Sequence, residues 1–150
     1  MDFKVQVEGL DALIDAMTAA GANVHPLINK AVQASILHVQ VLAREKAPHR
    51  TGTLQRSILP ETHDMYSELK VNEKYGLWIE EGTGPHDIYP KNKKALMWPG
   101  APHPMRVVHH PGTAAHPFFQ PAIEESEEFM QQQFDAVYTT LARNIAARSA

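Results

Sequence analysis

PLINKAVQASILHVQVLAREKAP, residues 26–48, is the stretch on which the fold turns. Ile28, Val32, Ser35, Val39 and Leu42 follow one another at helical spacing, and Leu27, Ala31, Ala34, His38 and Val41 form an adjoining row. Two such rows make the broad apolar face of an amphipathic helix. Pro26 suits the first helical turn, where its missing N–H has no partner to lose. Asn23 and His25 are equally placed to cap that turn. Pro48 disfavours helical backbone at the residue before it, so the helix is expected to stop near Ala47. At 1.5 Å per residue it would run roughly 33 Å.

Outward from this helix the pattern alternates between strand and helix. Phe3-Lys4-Val5-Gln6-Val7 reads as a half-buried strand. Leu10, Leu13, Ile14 and Met17 mark a short helix that Gly21 ends. Residues 48–55 read as a loop, followed by strand candidates at Leu54–Glu61 and Met65–Val71. In the second, Met65, Ser67, Leu69 and Val71 share one face. Tyr75–Glu81 fits either a helical turn or a strand. The last element is a long helix from Phe118 to Ala147, carried by Ile123, Met130, Phe134, Val137, Leu141 and Ile145. Glu124, Glu125, Glu127 and Glu128 near its start, and Arg143 and Arg148 near its end, match the helix dipole. The expected fold is α+β: a small mixed or antiparallel sheet packed with one long helix in the N-terminal half and a long C-terminal helix.

Between Gly82 and Pro117 the composition changes. This stretch holds four of the eight glycines, seven of the eleven prolines and five of the nine histidines. Short strands are expected at Asp87–Tyr89, Ala95–Trp98 and Met105–His109. A stretch this long and this rich in proline and glycine is more than a plain connection, so 82–117 reads as an extended arm with a function of its own. The whole chain, 1–150, is otherwise of single-domain size.

Composition bounds the chemistry. The 150 residues contain no cysteine, which excludes disulfides, thiolate metal sites and cysteine nucleophiles. The net charge is −3 with histidines neutral, and no region is strongly basic, so tight duplex binding is not advertised. There is no apolar run long enough to span a membrane, and Met1-Asp2-Phe3-Lys4-Val5 lacks the apolar core of a signal peptide. A soluble product of the cytoplasm is expected.

Three chemical readings compete on the residues alone. His86, His103, His109, His110 and His116 lie close enough in sequence to surround one metal ion in a hydrolase. Their spacing matches no helical ligand pattern, and loop histidines beside prolines are the plainer reading. Glu80 and Glu81 beside His86 suggest acid–base work, but adjacent residues on a strand point to opposite faces. Lys91, Lys93 and Lys94 with Tyr89 and Trp98 are the one hint of nucleic-acid contact. Gly82-Thr83-Gly84 lacks the spacing and lysine of a phosphate loop, and no nucleophile–base pair stands out.

Four motifs then occur in order. Ala47-Pro48 with Arg50-Thr51-Gly52-Thr53-Leu54 and Ser57-Ile58 resembles the "AP…(R/K)TGxLxxSI" of the tail-component proteins of tailed bacteriophages, a family whose members act in tail completion or head–tail joining. Tyr75-Gly76 through Glu80-Glu81-Gly82-Thr83 is similar to its "YAxxxExGT". Ile88-Tyr89-Pro90-Lys91 with Lys94-Ala95-Leu96 and Trp98 is similar to its "IxPKxxKAL". His110-Pro111-Gly112-Thr113 and Pro117-Phe118-Phe119-Gln120-Pro121-Ala122 resemble its "HPGTxxxPFLxPAL", with Gln120 where many relatives carry a basic residue. The order and spacing match the family across roughly residues 26–135. The resemblance implies a structural subunit of the neck or upper tail in the virion, with no catalytic residues and no cofactor. It implies a closed, sixfold ring between the head connector or stopper and the tail terminator or tail tube, with DNA passing through the lumen. The motif residues are then turn or subunit-interface positions, and a near-neutral to acidic chain suits a pore in which DNA must slide. A ring also needs two different patches on each subunit, and 82–117 is a candidate for one of them.

Overall fold

The computed structural model of the chain describes residues 2–6, 15, 18 and 24–148. Of the short helix expected around Leu10–Met17, Asp15 alone lies among them, in helical conformation; the rest, with Gly21 and Asn23, lies outside them. The architecture is α+β. In chain order the elements are β1 (Asp2–Gln6), α1 (His25–Lys46), α2 (Thr53–Ser57), β2 (Ile58–Thr62), β3 (Tyr66–Val71), α3 (Tyr75–Glu81), β4 (His86–Ile88), β5 (Val108–His110) and α4 (Phe119–Arg148). They divide into two compact units, one of residues 1–76 with 117–150 and the other Leu77–His116. No helix among the described residues is long and apolar enough to cross a membrane.

The first unit is a three-stranded antiparallel sheet, order β1-β3-β2, with the two long helices. In β3 the alternation dictates the faces: Ser67, Leu69 and Val71 are buried and the residues between them are half-exposed. The helix α1 buries Ile28, Ala31, Val32, Ser35, Ile36, Val39, Gln40 and Ala43. The first row expected from the sequence is thus largely the core row. The second flank of the core, however, is Ile36, Gln40 and Ala43, while Ala34 and His38 are half-buried and Val41 is 53% exposed. Gln40 enters the core because its amide donates to the carbonyl of Ile58 at 2.8 Å, and Arg44 donates to the same oxygen at 2.8 Å. A buried amide with such a partner avoids the cost of an unmade hydrogen bond.

The helices α1 and α4 run antiparallel. Val24, Ile28 and Val32 pack with Leu141, flanked by Phe134 and Val137. Further along, His38 stacks on Phe129 at 4.1 Å and an interplanar angle of 8°, and Lys46 pairs with Glu125 at 2.6 Å. The His38 Nδ1–H donates to Ser126 Oγ at 3.3 Å, because that hydroxyl already gives its proton to the Ala122 carbonyl.

Four local expectations need correction. Val24, not His25, holds the cap position of α1; it is 2% exposed and offers no side-chain oxygen, so apolar burial substitutes for a polar cap. Leu54 lies in the short helix α2, because Gly52 with φ 70° turns the chain and the Ser57 hydroxyl closes the helix on the Leu54 carbonyl. The strand proper starts at Ile58, and it accommodates Pro60 because β2 is an edge strand. In α4 no acidic residue occupies the first turn, since Phe119-Gln120-Pro121-Ala122 fill it. The helix-end field falls off within one turn, so the glutamates that follow gain little from it. Tyr75–Glu81, ambiguous in sequence, is helical.

The β2–β3 turn carries Met65 at φ 65°, a left-handed backbone that a bulky residue rarely adopts. Asn29 of α1 holds it there: its side-chain oxygen accepts the Met65 N–H at 2.7 Å, and its amide donates to Asp64 at 2.7 Å.

Candidate functional site

Leu77–His116 opens with the end of α3 and continues as an antiparallel hairpin whose two arms mirror each other in sequence. Thr83 bridges Thr113, and His86, Asp87 and Ile88 pair with His110, His109 and Val108. One register joins all these pairs, and carried through the gap it sets Gly84 opposite Gly112 and Pro85 opposite Pro111. Thr-Gly-Pro-His read forward from Thr83 therefore meets Thr-Gly-Pro-His read backward from Thr113. Facing prolines supply no N–H to the ladder, which explains why regular pairing lapses between the bridge and the strands. At the bridge, Thr83 N–H donates to the Thr113 carbonyl at 2.9 Å and Thr113 N–H to the Thr83 carbonyl at 3.0 Å. Thr113 N–H also reaches Thr83 Oγ1 at 3.0 Å.

The glycines make this approach possible. Gly82 has φ 75° and Gly112 φ 90°. A Cβ on Gly82 would lie 2.6 Å from the Thr113 carbonyl oxygen, and one on Gly112 would overlap the Thr83 carbonyl oxygen. Two of the sequence motifs, Glu80-Glu81-Gly82-Thr83 and His110-Pro111-Gly112-Thr113, are thus the two halves of one structural junction.

Histidine chemistry in the hairpin is specific. His86 and His110 stack with ring centroids 5.0 Å apart and planes 27° from parallel. Nδ1–H of His86 donates to the Gly84 carbonyl at 2.9 Å, whereas Nδ1 of His110 accepts from Gly112 N–H at 3.0 Å. The proton of neutral His110 therefore sits on Nε2, and stacked rings present faces to each other in place of lone pairs. His109 donates from Nδ1 to Asp87 at 2.5 Å. Among the described residues no three of His86, His103, His109, His110 and His116 bring ligand atoms together.

The one three-ligand grouping among the described residues is elsewhere, at Glu61, His63 and Glu68 on the β2–β3 surface, with ligand atoms within 4.8 Å of one another. Glu61 and Glu68 are cross-strand partners, and Lys70 supplies their countercharge, pairing with Glu61 and lying 3.3 Å from Glu68. The Lys70 hydrogen bond holds the Glu61 carboxyl below its ordinary 4.5, and Glu61 in turn raises Lys70 above its ordinary 10.5. The depressed carboxyl contributes stability above pH 4.5 that is lost as pH falls through its folded value; the raised ammonium contributes below pH 10.5 and fades as pH rises through its own. Lys70→Met is therefore expected to lower the melting temperature slightly at neutral pH. The deficit shrinks in high salt and closes as the pH is taken down from 4.5. A deficit that is unchanged in acid would assign Lys70 a packing role instead.

What the hairpin lacks is a core. No residue from Leu77 to His116 is buried. Six of its large apolar side chains are exposed, Trp78 at 59%, Tyr89 63%, Met97 66% and Trp98 44%, with Leu77 and Ile88 also open, while Ile79, Leu96, Met105, Val107 and Val108 are half-buried. The loop between the arms is closed by a bridge of Leu96 to Met105, where the expected strand Ala95–Trp98 reduces to this single pair before Pro99. The expected strands Asp87–Tyr89 and Met105–His109 form as His86–Ile88 and Val108–His110. Lys91, Lys93 and Lys94 are exposed and have no ion pair among the described residues.

The remaining motif residues divide between the units. Arg50 and Thr51 are exposed beside the buried Gly52 and Leu54 in the first unit. Phe118 is fully buried there, with Pro121 half-buried in the first turn of α4 and Pro117 exposed before it. Glu80 and Pro90 are half-buried in the hairpin, and Pro111 is exposed. The mirrored arms were readable in the sequence as a reversed repeat; the outward aim of Ile88 and Met97 was not. Comparison with protein-family models, with curated proteins and with solved structures finds no match to the chain.

Proposed function

We propose that this chain is a structural subunit of the neck or upper tail of a tailed bacteriophage, assembled with copies of itself into a ring through which DNA passes. The ring lies in the virion between the head connector or stopper and the tail terminator or tail tube. The observation that carries the reading is the coreless hairpin. A two-stranded hairpin is marginal in water by itself, and many exposed large aromatic and aliphatic side chains in one short segment point to an interaction surface. Leu77–His116 has both properties, and its proline content lowers the cost of ordering it on a partner. The ordered motif resemblance names the kind of assembly.

Deleting residues 84–110 is the test. Thr83 and Thr113 are already bridged, so a short link can rejoin the ends. The variant is expected to keep the helical signal and melting of α1 and α4, yet to leave heads and tails accumulating separately in electron micrographs. Unfolding of the variant, or normal particles, would overturn the reading.

A second reading has one observation in its favour: three exposed lysines with no ion pair among the described residues, flanked in sequence by exposed Tyr89 and Trp98, also suit a single-stranded nucleic acid. A gel shift at moderate salt that tracks Trp98→Ala would select it.

A further inference from the structure

We infer that the lysine-bearing loop Tyr89–Trp98 of one copy docks onto the acid-walled groove between α1 and α4 of a second copy. The inference rests on the subunit reading above and adds which face of the neighbour receives the arm. The groove lies wholly in the first unit. Its floor is His38, Leu42 and Phe129, and its wall carries Glu125, Glu128 and Gln132. Glu125 is paired with Lys46, whereas Glu128 has no cationic partner among the described residues and accepts the Gln132 amide at 3.4 Å. Beside the groove the outer ridge of α1 exposes Leu37 at 50% and Val41 at 53%, apolar side chains one helical turn apart. Glu45, also exposed, follows a turn later.

The two surfaces are complementary in both respects that matter. The loop is apolar and cationic, with three lysines and no acid between Tyr89 and Trp98; the groove is apolar and anionic. Because they are different patches, the contact is head-to-tail and repeats around a ring. Charge matching fixes partner and register more than it adds affinity. A tyrosine or tryptophan buries at most about 150–250 Å², against about 800 Å² per partner in a standard interface, so one docked loop is a weak contact that ring closure must reinforce.

The absence of cysteine makes the test direct. Met97→Cys and Val41→Cys, each an exposed position, are made as separate single-cysteine proteins, mixed at high concentration and oxidised. The expected result is a mixed disulfide dimer in large excess over either self-pair. Lys91→Glu/Lys93→Glu/Lys94→Glu in the Met97→Cys protein should remove it, and Glu128→Lys in the partner should restore it. Self-pairs as abundant as the mixed pair would overturn the inference, as would a double variant that closes within one chain at high dilution. Rings in the microscope without the mixed disulfide would overturn this docking and leave the subunit reading standing. Loss of both rings and cross-link would overturn both. Competition by single-stranded oligonucleotide at moderate salt would assign the lysines to nucleic acid instead.

Discussion

Gly112→Ala is expected to open the hairpin of Leu77–His116 while leaving α1 and α4 folded. The backbone there has φ 90°, which a residue with a Cβ adopts only at a cost of roughly 1–3 kcal/mol. The added carbon would also overlap the Thr83 carbonyl oxygen and sit 2.9 Å from the Gly84 carbonyl carbon. These are backbone atoms of the opposing arm, so nothing flexible moves aside. Relief requires the arms to part, which breaks the paired Thr83–Thr113 bonds and the Gly112 bond to His110 together. Without a core beneath it, the hairpin is left with its three-pair ladder, the His86–His110 stack and the Leu96–Met105 bridge. Limited proteolysis should cut between residues 89 and 107 much faster than in the parent, with the helical melting transition unmoved, and particle assembly should fail. Gly100→Ala is the control: its φ is 91°, but a Cβ there meets nothing within 4 Å, so it carries the backbone strain without the collision. Equal protease resistance in Gly112→Ala and the parent would show that the junction does not hold the arms.

The helices and the faces of β3 were legible because apolar residues recur at one period along each, with a single seven-residue step in α4 from Ile123 to Met130. The second flank of α1 was not, because the adjoining row was drawn through His38 and Val41. Polarity at Gln40 argued against burial until the Ile58 carbonyl supplied a partner for its amide. Such a bond joins residues far apart in sequence, and no local pattern encodes it. The hairpin shows the opposite case. Thr83-Gly84-Pro85-His86 and its reversal at His110–Thr113 sit in plain view, and self-facing pairs across an antiparallel register leave that signature. Reading the two glycine-threonine motifs as separate turns hid it. The exposure of Tyr89, Met97 and Trp98 was beyond any such reading, because apolar residues among prolines look the same whether they fill a core or await a partner.

Phe118→Ala and Trp98→Ala separate these two possibilities, since both residues belong to the motifs that drew attention to the chain. Phe118 is fully buried in the first unit, set edge-on to Phe119 with ring centroids 6.2 Å apart, and Ala122, four residues on, is equally buried. Truncating a buried phenylalanine removes its transfer energy and leaves a cavity, about 3–5 kcal/mol together. For a domain of this size that lowers the melting temperature by roughly 6–20 °C. Trp98 is 44% exposed in a unit without buried residues, so its loss should move the melting temperature of the isolated chain by little, within the roughly 0.5 kcal/mol typical of surface changes. Assembly should respond the other way: Trp98→Ala blocks it at full stability, whereas Phe118→Ala lowers it only in proportion to the folded fraction. Scanning calorimetry with particle counts on the same two proteins reads both effects. If Trp98→Ala instead melts as early as Phe118→Ala, the tryptophan already has its partner inside the chain, and the hairpin is not waiting for a neighbour.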